Sequence, residues 1–142
     1  MKNQNITLKT RLILYNKGEI LLLRQRRSNG GKYTFVGGTI ESGEFAKQTL
    51  VREAFEEAGI IINPADLRLA HVLHKKYKSG TRIILYFKTA KWEGVLRNRE
   101  PHKFVEASFY PLDELPLGLS GTARHVLKMY RTGEMYSEYL KR

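Results

Sequence analysis

The fold turns on one stretch, GGTIESGEFAKQTLVREAFEEAGI, residues 37–60. Its first part reads as a glycine-bearing loop: Gly37, Gly38 and Gly43 tolerate positive φ and leave room for close backbone approach. Its second part reads as a helix. Good helix formers run from about Glu44 to Ala58, Ser42 offers a hydroxyl cap, Glu41 and Glu44 suit the positive N-terminal end, and Gly59 is a natural stop.

Wound at about 100° per residue, this helix gathers Glu53, Glu56 and Glu57 into an arc of about 100°. Ala46, Leu50, Val51, Ala54, Phe55 and Ala58 sweep the adjoining arc, so the acidic strip borders the buried face and belongs at the rim of the core. Neighbouring carboxylates repel by a few tenths of a kcal/mol per pair on an exposed helix, and by more in a partly desolvated cleft. The three glutamates alone leave two readings open. One is a solvated acidic face. The other is a site for a hard cation, Mg²⁺ or Mn²⁺, which takes oxygen ligands and bridges to phosphate oxygens.

Upstream, Leu8–Tyr15 and Glu19–Leu23 read as strands joined by an Asn16-Lys17-Gly18 turn. Ser28–Gly31 is a loop, and Lys32–Val36 is a short strand leading to Gly37. Arg26, at a strand end ahead of that loop, is a candidate for substrate phosphates; the competing reading is a charged edge that resists aggregation. Downstream, Ile60–Ile62 begins a strand that Asn63-Pro64 breaks, and Leu67–His74 is a further strand. Residues 75–80 form a basic turn, and Thr81–Ala90 is a strand buried on both faces. His71 and His74 fall on opposite faces of their strand, which argues against a shared metal. A loop from Trp92 to Lys103, a strand Phe104–Tyr110 and a Ser120-capped helix to Arg131 follow. Short strands interspersed with two helices specify an α/β fold with a mixed sheet between helices, and neither repeats nor a linker interrupt residues 1–142.

Loop and helix together resemble the Nudix box: Gly38, five residues, Glu44, seven residues, Arg52-Glu53, Ala54, one residue, Glu56-Glu57, one residue, Gly59-Ile60. Ala54 is smaller than the usual aliphatic residue, and Val36 stands where the family often has Pro. The order Trp92-x-Gly94, Asn98-x-Glu100-Pro101-x-Lys103, then an aromatic strand and Pro111-Leu-Asp-Glu-Leu-Pro116, is similar to the second half of MutT-like Nudix proteins. The Gly133–Tyr139 tail also resembles the family's C-terminal pattern.

The resemblance implies an α/β/α sandwich in a single Nudix domain, residues 1–142, and Mg²⁺-dependent hydrolysis of a nucleoside diphosphate linked to another group, with Mn²⁺ as a possible substitute. It implies that Glu53, Glu56 and Glu57 hold the metal, joined by a carbonyl of Gly37 or Gly38, and that Glu53, then Glu100, ranks as general base. Glu106 is a later candidate for that role. Glu44, Arg52 and Gly59 are structural within the motif: a helix-start carboxylate, a guanidinium fork and a helix stop. Lys103 is a candidate phosphate or base contact, and Tyr33, Phe35, Tyr77 and Phe104 are candidates for stacking on a base. A nucleoside triphosphate, normal or oxidised, ranks first as substrate.

The chain has 142 residues, no cysteine and a formal net charge of +11. A disulfide framework, a thiolate zinc site and a thiol nucleophile are therefore excluded. The start lacks a signal-like apolar segment and no apolar run reaches membrane-spanning length, so a cytoplasmic protein without membrane partners, monomeric or homodimeric, is expected. The positive balance favours polyanions. Two rivals follow: an enzyme removing pyrophosphate from RNA 5′ ends, and a Nudix-fold binding module without catalysis.

Overall fold

The computed structural model describes residues 5–142. Along these residues come β1 (Ile6–Asn16), β2 (Glu19–Gln25), β3 (Tyr33–Thr34), β4 (Val36–Thr39), α1 (Ala46–Ala58), β5 (Ile60–Ile61) and β6 (Arg68–Tyr77). Then follow β7 (Gly80–Thr89), β8 (Glu93–Gly94), β9 (Phe104–Pro111), α2 (Gly121–Arg131) and β10 (Tyr136–Leu140). A mixed sheet runs in the order β10-β6-β7-β1-β4: β10 lies parallel to β6 and β1 to β7, while the β6–β7 and β1–β4 pairs are antiparallel. β1 outruns this sheet. Its last residues, Tyr15 and Asn16, pair with Ile20 and Glu19 and open an antiparallel layer in which β2 lies between β3 and β9. A short separate ladder joins β5 to β8.

The continuous apolar runs of β1 and β2 follow from burial on both faces. Leu12, Leu14, Leu21 and Leu23 share one core with Leu50, Ala54 and Ala58 of α1. The alternate residues Ile13, Ile20 and Leu22 share the other with Ala123, Val126 and Leu127 of α2. The result is the α/β/α sandwich, with one helix per face. Among the described residues no helix is long and apolar enough to cross a membrane.

Four local expectations are corrected. Gly37 and Gly38 are not loop residues but lie in β4, paired with Arg11 and Thr10. Lys32–Val36 is not one strand: β3 and β4 flank Phe35, where the chain passes from the β2 layer to the β1 sheet and the ring packs edge-on against Tyr86, centroids 5.9 Å apart. The basic turn shrinks to Lys78 and Ser79, because Lys75–Tyr77 still pair with β7. Ser42 does not cap α1, which begins at Ala46; there the Phe45 N–H donates to Gln48 Oε1 at 2.8 Å. The capping half of the motif that needs a side-chain acceptor is missing, since a phenyl ring cannot accept. Ser120 does cap α2, its hydroxyl accepting from the Ala123 N–H at 3.1 Å. The tail, whose role was not derivable from the sequence, supplies β10.

Candidate active site

β4 is the free edge of the mixed sheet, and α1 lies over it. Gly37 has φ 150°, and a Cβ there would stand 2.1 Å from the Thr10 carbonyl oxygen, so only glycine lets β4 pair with β1 at this point. Its N–H, on the free edge, donates to Glu57 Oε1 at 2.9 Å. A Cβ on Gly38 would meet Glu53 Oε1 at 2.9 Å. The two glycines therefore make the cradle in which two α1 carboxylates rest.

Arg52 organises the rest of the motif. Its Nε and Nη2 donate to Glu44 at 3.0 and 3.1 Å, a two-point fork, while Nη1 donates to Glu53 at 3.1 Å and to Glu56 at 3.2 Å. The fork holds the Glu44 carboxyl down at about 2 and raises the guanidinium further. Thr49 Oγ1 also donates to Glu44, at 3.0 Å. Glu44 thus ties the segment before α1 to the helix.

Gly59 ends α1 in the left-handed region, φ 72°, and its N–H donates to the Ala54 and Phe55 carbonyls. The following loop takes the carbonyls of Glu57 and Ala58 and adds a second donor to that of Phe55. Arg97 N–H donates to the Ala58 carbonyl at 3.0 Å, Arg99 N–H to that of Glu57 at 3.1 Å, and Arg99 Nη1 to that of Phe55 at 2.9 Å. This cap carries the chain past Glu57 and sets Glu100 close enough to raise the Glu57 proton affinity. Asn98 fixes the turn, its Nδ2 donating to the Phe104 carbonyl at 2.7 Å and its Oδ1 accepting from Glu100 N–H at 3.2 Å.

The elements enclose a cleft of about 380 Å³. Its lining combines the carboxylates of Glu53 and Glu57 and the backbone of Gly37 and Gly38 with the cations Lys9, Arg11 and Lys103. Burial pushes the Glu57 carboxyl up to about 8, against the Gly37 hydrogen bond; Glu53 is also raised, first by burial. Burial, then Arg11 and Arg82, lowers Lys9 to about 8, with Glu53 and Glu57 acting the other way. A second cleft, between Tyr15, Asp66, Lys88 and Tyr130, contains one carboxylate and neither glycine nor glutamate of the motif.

The structure places the expected residues unequally. Glu53, Glu57, Gly37, Gly38 and Lys103 line the cleft. Glu56 does not: its carboxylate turns to Arg52 and is about half exposed. Glu100 lies next to the cleft, with Oε2 3.7 Å from Lys103 Nζ and Oε1 buried without a hydrogen-bond partner. Arg26 is exposed and outside the lining; its Nε donates to the Pro101 carbonyl and so fastens the loop. Glu106 accepts from the Tyr110 hydroxyl, away from α1. Of the aromatic candidates only Phe104 reaches the cleft; Phe35 is core, Tyr33 packs on Tyr110, and Tyr77 lies under Arg82. Sequence reasoning missed Lys9 and Arg11. Their signal was the alternation Leu8-Lys9-Thr10-Arg11-Leu12, which puts both cations on one strand face.

Among the described residues no three His, Asp or Glu side chains form a preformed ligand cluster. The three glutamates repel; Glu53 and Glu56 share the Arg52 Nη1 donor, while Glu57 takes the Gly37 N–H. The donor set still suits a hard divalent cation: carboxylates of Glu53 and Glu57, glycine backbone, and the unpartnered buried Glu100 Oε1.

The NUDIX domain profile matches residues 7–130. The NAD-capped RNA hydrolase NudC of Photorhabdus laumondii is 31% identical over 98 residues, covering 69% of this chain and 36% of that protein. NudC of Stutzerimonas stutzeri is 27% identical over 122 residues, covering 84% of this chain and 42% of its own. The chain thus spans well under half the length of these relatives. Among solved structures, the MutT NUDIX hydrolase of Burkholderia pseudomallei superposes with a TM-score of 0.80 at 22% identity, covering 88% of this chain and 98% of the other. The MutT protein of Methanosarcina mazei gives 0.80 at 22% identity, covering 94% and 98%. These two likenesses concern the fold.

Proposed function

Since the chain belongs to the NUDIX domain family of hydrolases, whose members generally use divalent metal ions, we propose that it cleaves the pyrophosphate bond of a nucleoside diphosphate linked to a further group, with Mg²⁺ as the working cation. The observation that carries this reading is the cleft itself, lined by Glu53 and Glu57 together with Lys9, Arg11 and Lys103. A diphosphate brings negative charge to both sets of side chains. It pairs directly with the cations, and a divalent ion held by the carboxylates would neutralise phosphate oxygens and acidify water.

In this reading Glu57 and Glu53 hold the cation, with Glu56 joining from the same helix once released from Arg52, and a Gly37 or Gly38 carbonyl completing the set. Glu53 takes the proton of the attacking water, and Glu100 is the alternative base. Lys103 and Arg11 steady the phosphates of substrate and product. One water is consumed: its oxygen bonds to phosphorus, the bridging P–O bond breaks, and a triphosphate leaves as monophosphate and pyrophosphate. Arg26 has no part in this step, since its side chain holds Pro101.

The test is a panel of nucleoside triphosphates, oxidised triphosphates, nucleotide sugars, dinucleotides and 5′-capped or triphosphorylated RNA, each with Mg²⁺ or Mn²⁺ and with products identified. Metal-dependent cleavage of one class into a monophosphate is expected; no cleavage anywhere in the panel overturns the proposal. A second reading, action on RNA 5′ ends, is favoured by the charge and by relatives named for RNA hydrolysis.

A further inference from the structure

The proposed reaction uses few of the 25 lysines and arginines. Several of the others gather on the α2 side of the mixed sheet, at the β6–β7 hairpin and the end of β10. Lys75, Lys78, Arg82, Lys141 and Arg142 line a groove of about 220 Å³ there, together with Tyr77. Lys75 and Arg82 stand opposite each other in the β6–β7 register. Lys75 is only 6% exposed, and its Nζ donates to the hydroxyl of Thr122, in the first turn of α2, at 2.8 Å. The Arg82 guanidinium lies 4.8 Å from the Tyr77 ring centroid, and its buried Nε has no hydrogen-bond partner.

Burial of a lysine ammonium normally demands a carboxylate. None is paired here: the charged neighbours acting on Lys75 are Lys141, Arg82, Arg11 and Lys9, and with burial they lower it to about 8. Glu138, the acidic residue of β10, alternates onto the opposite face from Ser137 and Tyr139 and accepts from the Tyr136 hydroxyl. Among the described residues no carboxylate side chain acts on Lys75, so the groove is a built cationic site with no side-chain counter-charge of its own.

Strand register brings it near the cleft. Lys9 and Arg11 line the cleft and share the α2 side with Arg82 and Lys75, by strand alternation from Ile13, Ile84 and Leu73 of the α2 core. Lys9 pairs with Ile84, two residues from Arg82, which in turn opposes Lys75. Two strand spacings of about 4.8 Å separate β1 from β6. Phosphates a nucleotide or two beyond a substrate diphosphate fall within that reach.

We propose that this track, from Lys9 through Arg82 and Lys75 to Lys141, seats the phosphodiester backbone of a single-stranded RNA whose 5′ diphosphate lies in the cleft. The proposal rests on the pyrophosphate-hydrolase reading above and narrows it to polynucleotide substrates. Tyr77, stacked against Arg82, offers a flat platform suited to an unpaired base. Free nucleotides reach only the cleft end.

The test uses Lys78→Gln/Lys141→Gln, both exposed, and separately Arg82→Gln. Fluorescence anisotropy with a short 5′-triphosphorylated, 3′-labelled single-stranded RNA in EDTA reads binding without turnover. The double variant is expected to bind several-fold more weakly, with a log–log salt slope shallower by about 1.4 for two lost phosphate contacts. In the presence of Mg²⁺, KM for the RNA rises while kcat/KM for free nucleotide substrates is unchanged. Wild-type RNA affinity and salt slope in both variants overturns the track. Tighter binding to phosphatidylserine vesicles than to RNA overturns it in favour of a membrane surface. Absence of any hydrolysis, with variant-sensitive RNA binding intact, rejects the hydrolase reading and leaves the track standing.

Discussion

At the scale of single residues the account makes Gly38 as consequential as the glutamates. Its missing side chain is the space occupied by the Glu53 carboxylate, so Gly38→Ala pushes that carboxylate aside while β4 keeps its pairing with β1. Turnover is expected to fall at least tenfold, on the order expected for about 1 Å of misplacement, with the melting temperature little changed; steady-state kinetics alongside calorimetry checks this. Glu57 gives a pH prediction. Its folded-state pKa of about 8 exceeds the ordinary 4.5, so the folded metal-free protein retains a proton that the unfolded chain releases. The stability this contributes is full below about pH 4.5 and is lost as pH rises through 8. Lys9 and Lys75, lowered from 10.5 to about 8, act only above that window. Thermal melts in EDTA should therefore show the wild type losing stability relative to Glu57→Gln between pH 4.5 and 8. A pH-independent difference between the two would contradict the buried, proton-holding carboxyl.

At the scale of elements, α1 matters by its two ends as much as by its acidic face. Its C-terminal carbonyls are capped from the 97–99 loop, and the Arg99 guanidinium also lies over the Phe55 ring, 4.2 Å to the centroid. Arg99→Ala removes a cation from the negative end of the helix and a hydrogen bond to Phe55, a loss of about 1 kcal/mol, measurable by urea denaturation. Because the same loop carries Glu100 to Glu57, that variant should also lower kcat more than so small a loss of stability explains. Most strands and both helices were legible because the apolar runs of β1 and β2 and the helical apolar spacing of α2 are bounded by clear turn and cap residues. Three elements were not, one being β8, a two-residue ladder with β5 inside the stretch read as a loop, too short to carry a strand pattern. The crossing at Phe35 leaves no local mark, since Lys32–Val36 has strand composition throughout and only tertiary packing splits it. β10 pairs in parallel with β6, more than sixty residues away in sequence, and no short-range pattern encodes such a partner.

At the scale of the molecule, the motif at 38–60 singled out the helix whose Glu53 and Glu57 line the cleft, but not how its carboxylates divide. The helical wheel put Glu53, Glu56 and Glu57 in one arc. Arg52 draws Glu56 outward and Gly37 draws Glu57 in, and neither donor's reach can be read from helical spacing. Lys9 and Arg11 entered the cleft through sheet pairing, which the sequence order of β1 and β4 does not reveal. The charge of +11 acquires a location for the same reason: β6, β7 and β10 bring together cations from three separated segments.

The central claim is that α1 and the β4 glycines together grip a divalent cation that makes a pyrophosphate bond cleavable. Its most direct test is the Mg²⁺ dependence of turnover, on the best substrate of the panel, for wild type, Glu53→Gln and Glu57→Gln side by side. The account predicts no turnover in EDTA, a fall of about 10²-fold or more in kcat for Glu53→Gln, and a Mg²⁺ requirement shifted to higher concentration for Glu57→Gln. Wild-type kcat and an unshifted Mg²⁺ titration in both variants would contradict it.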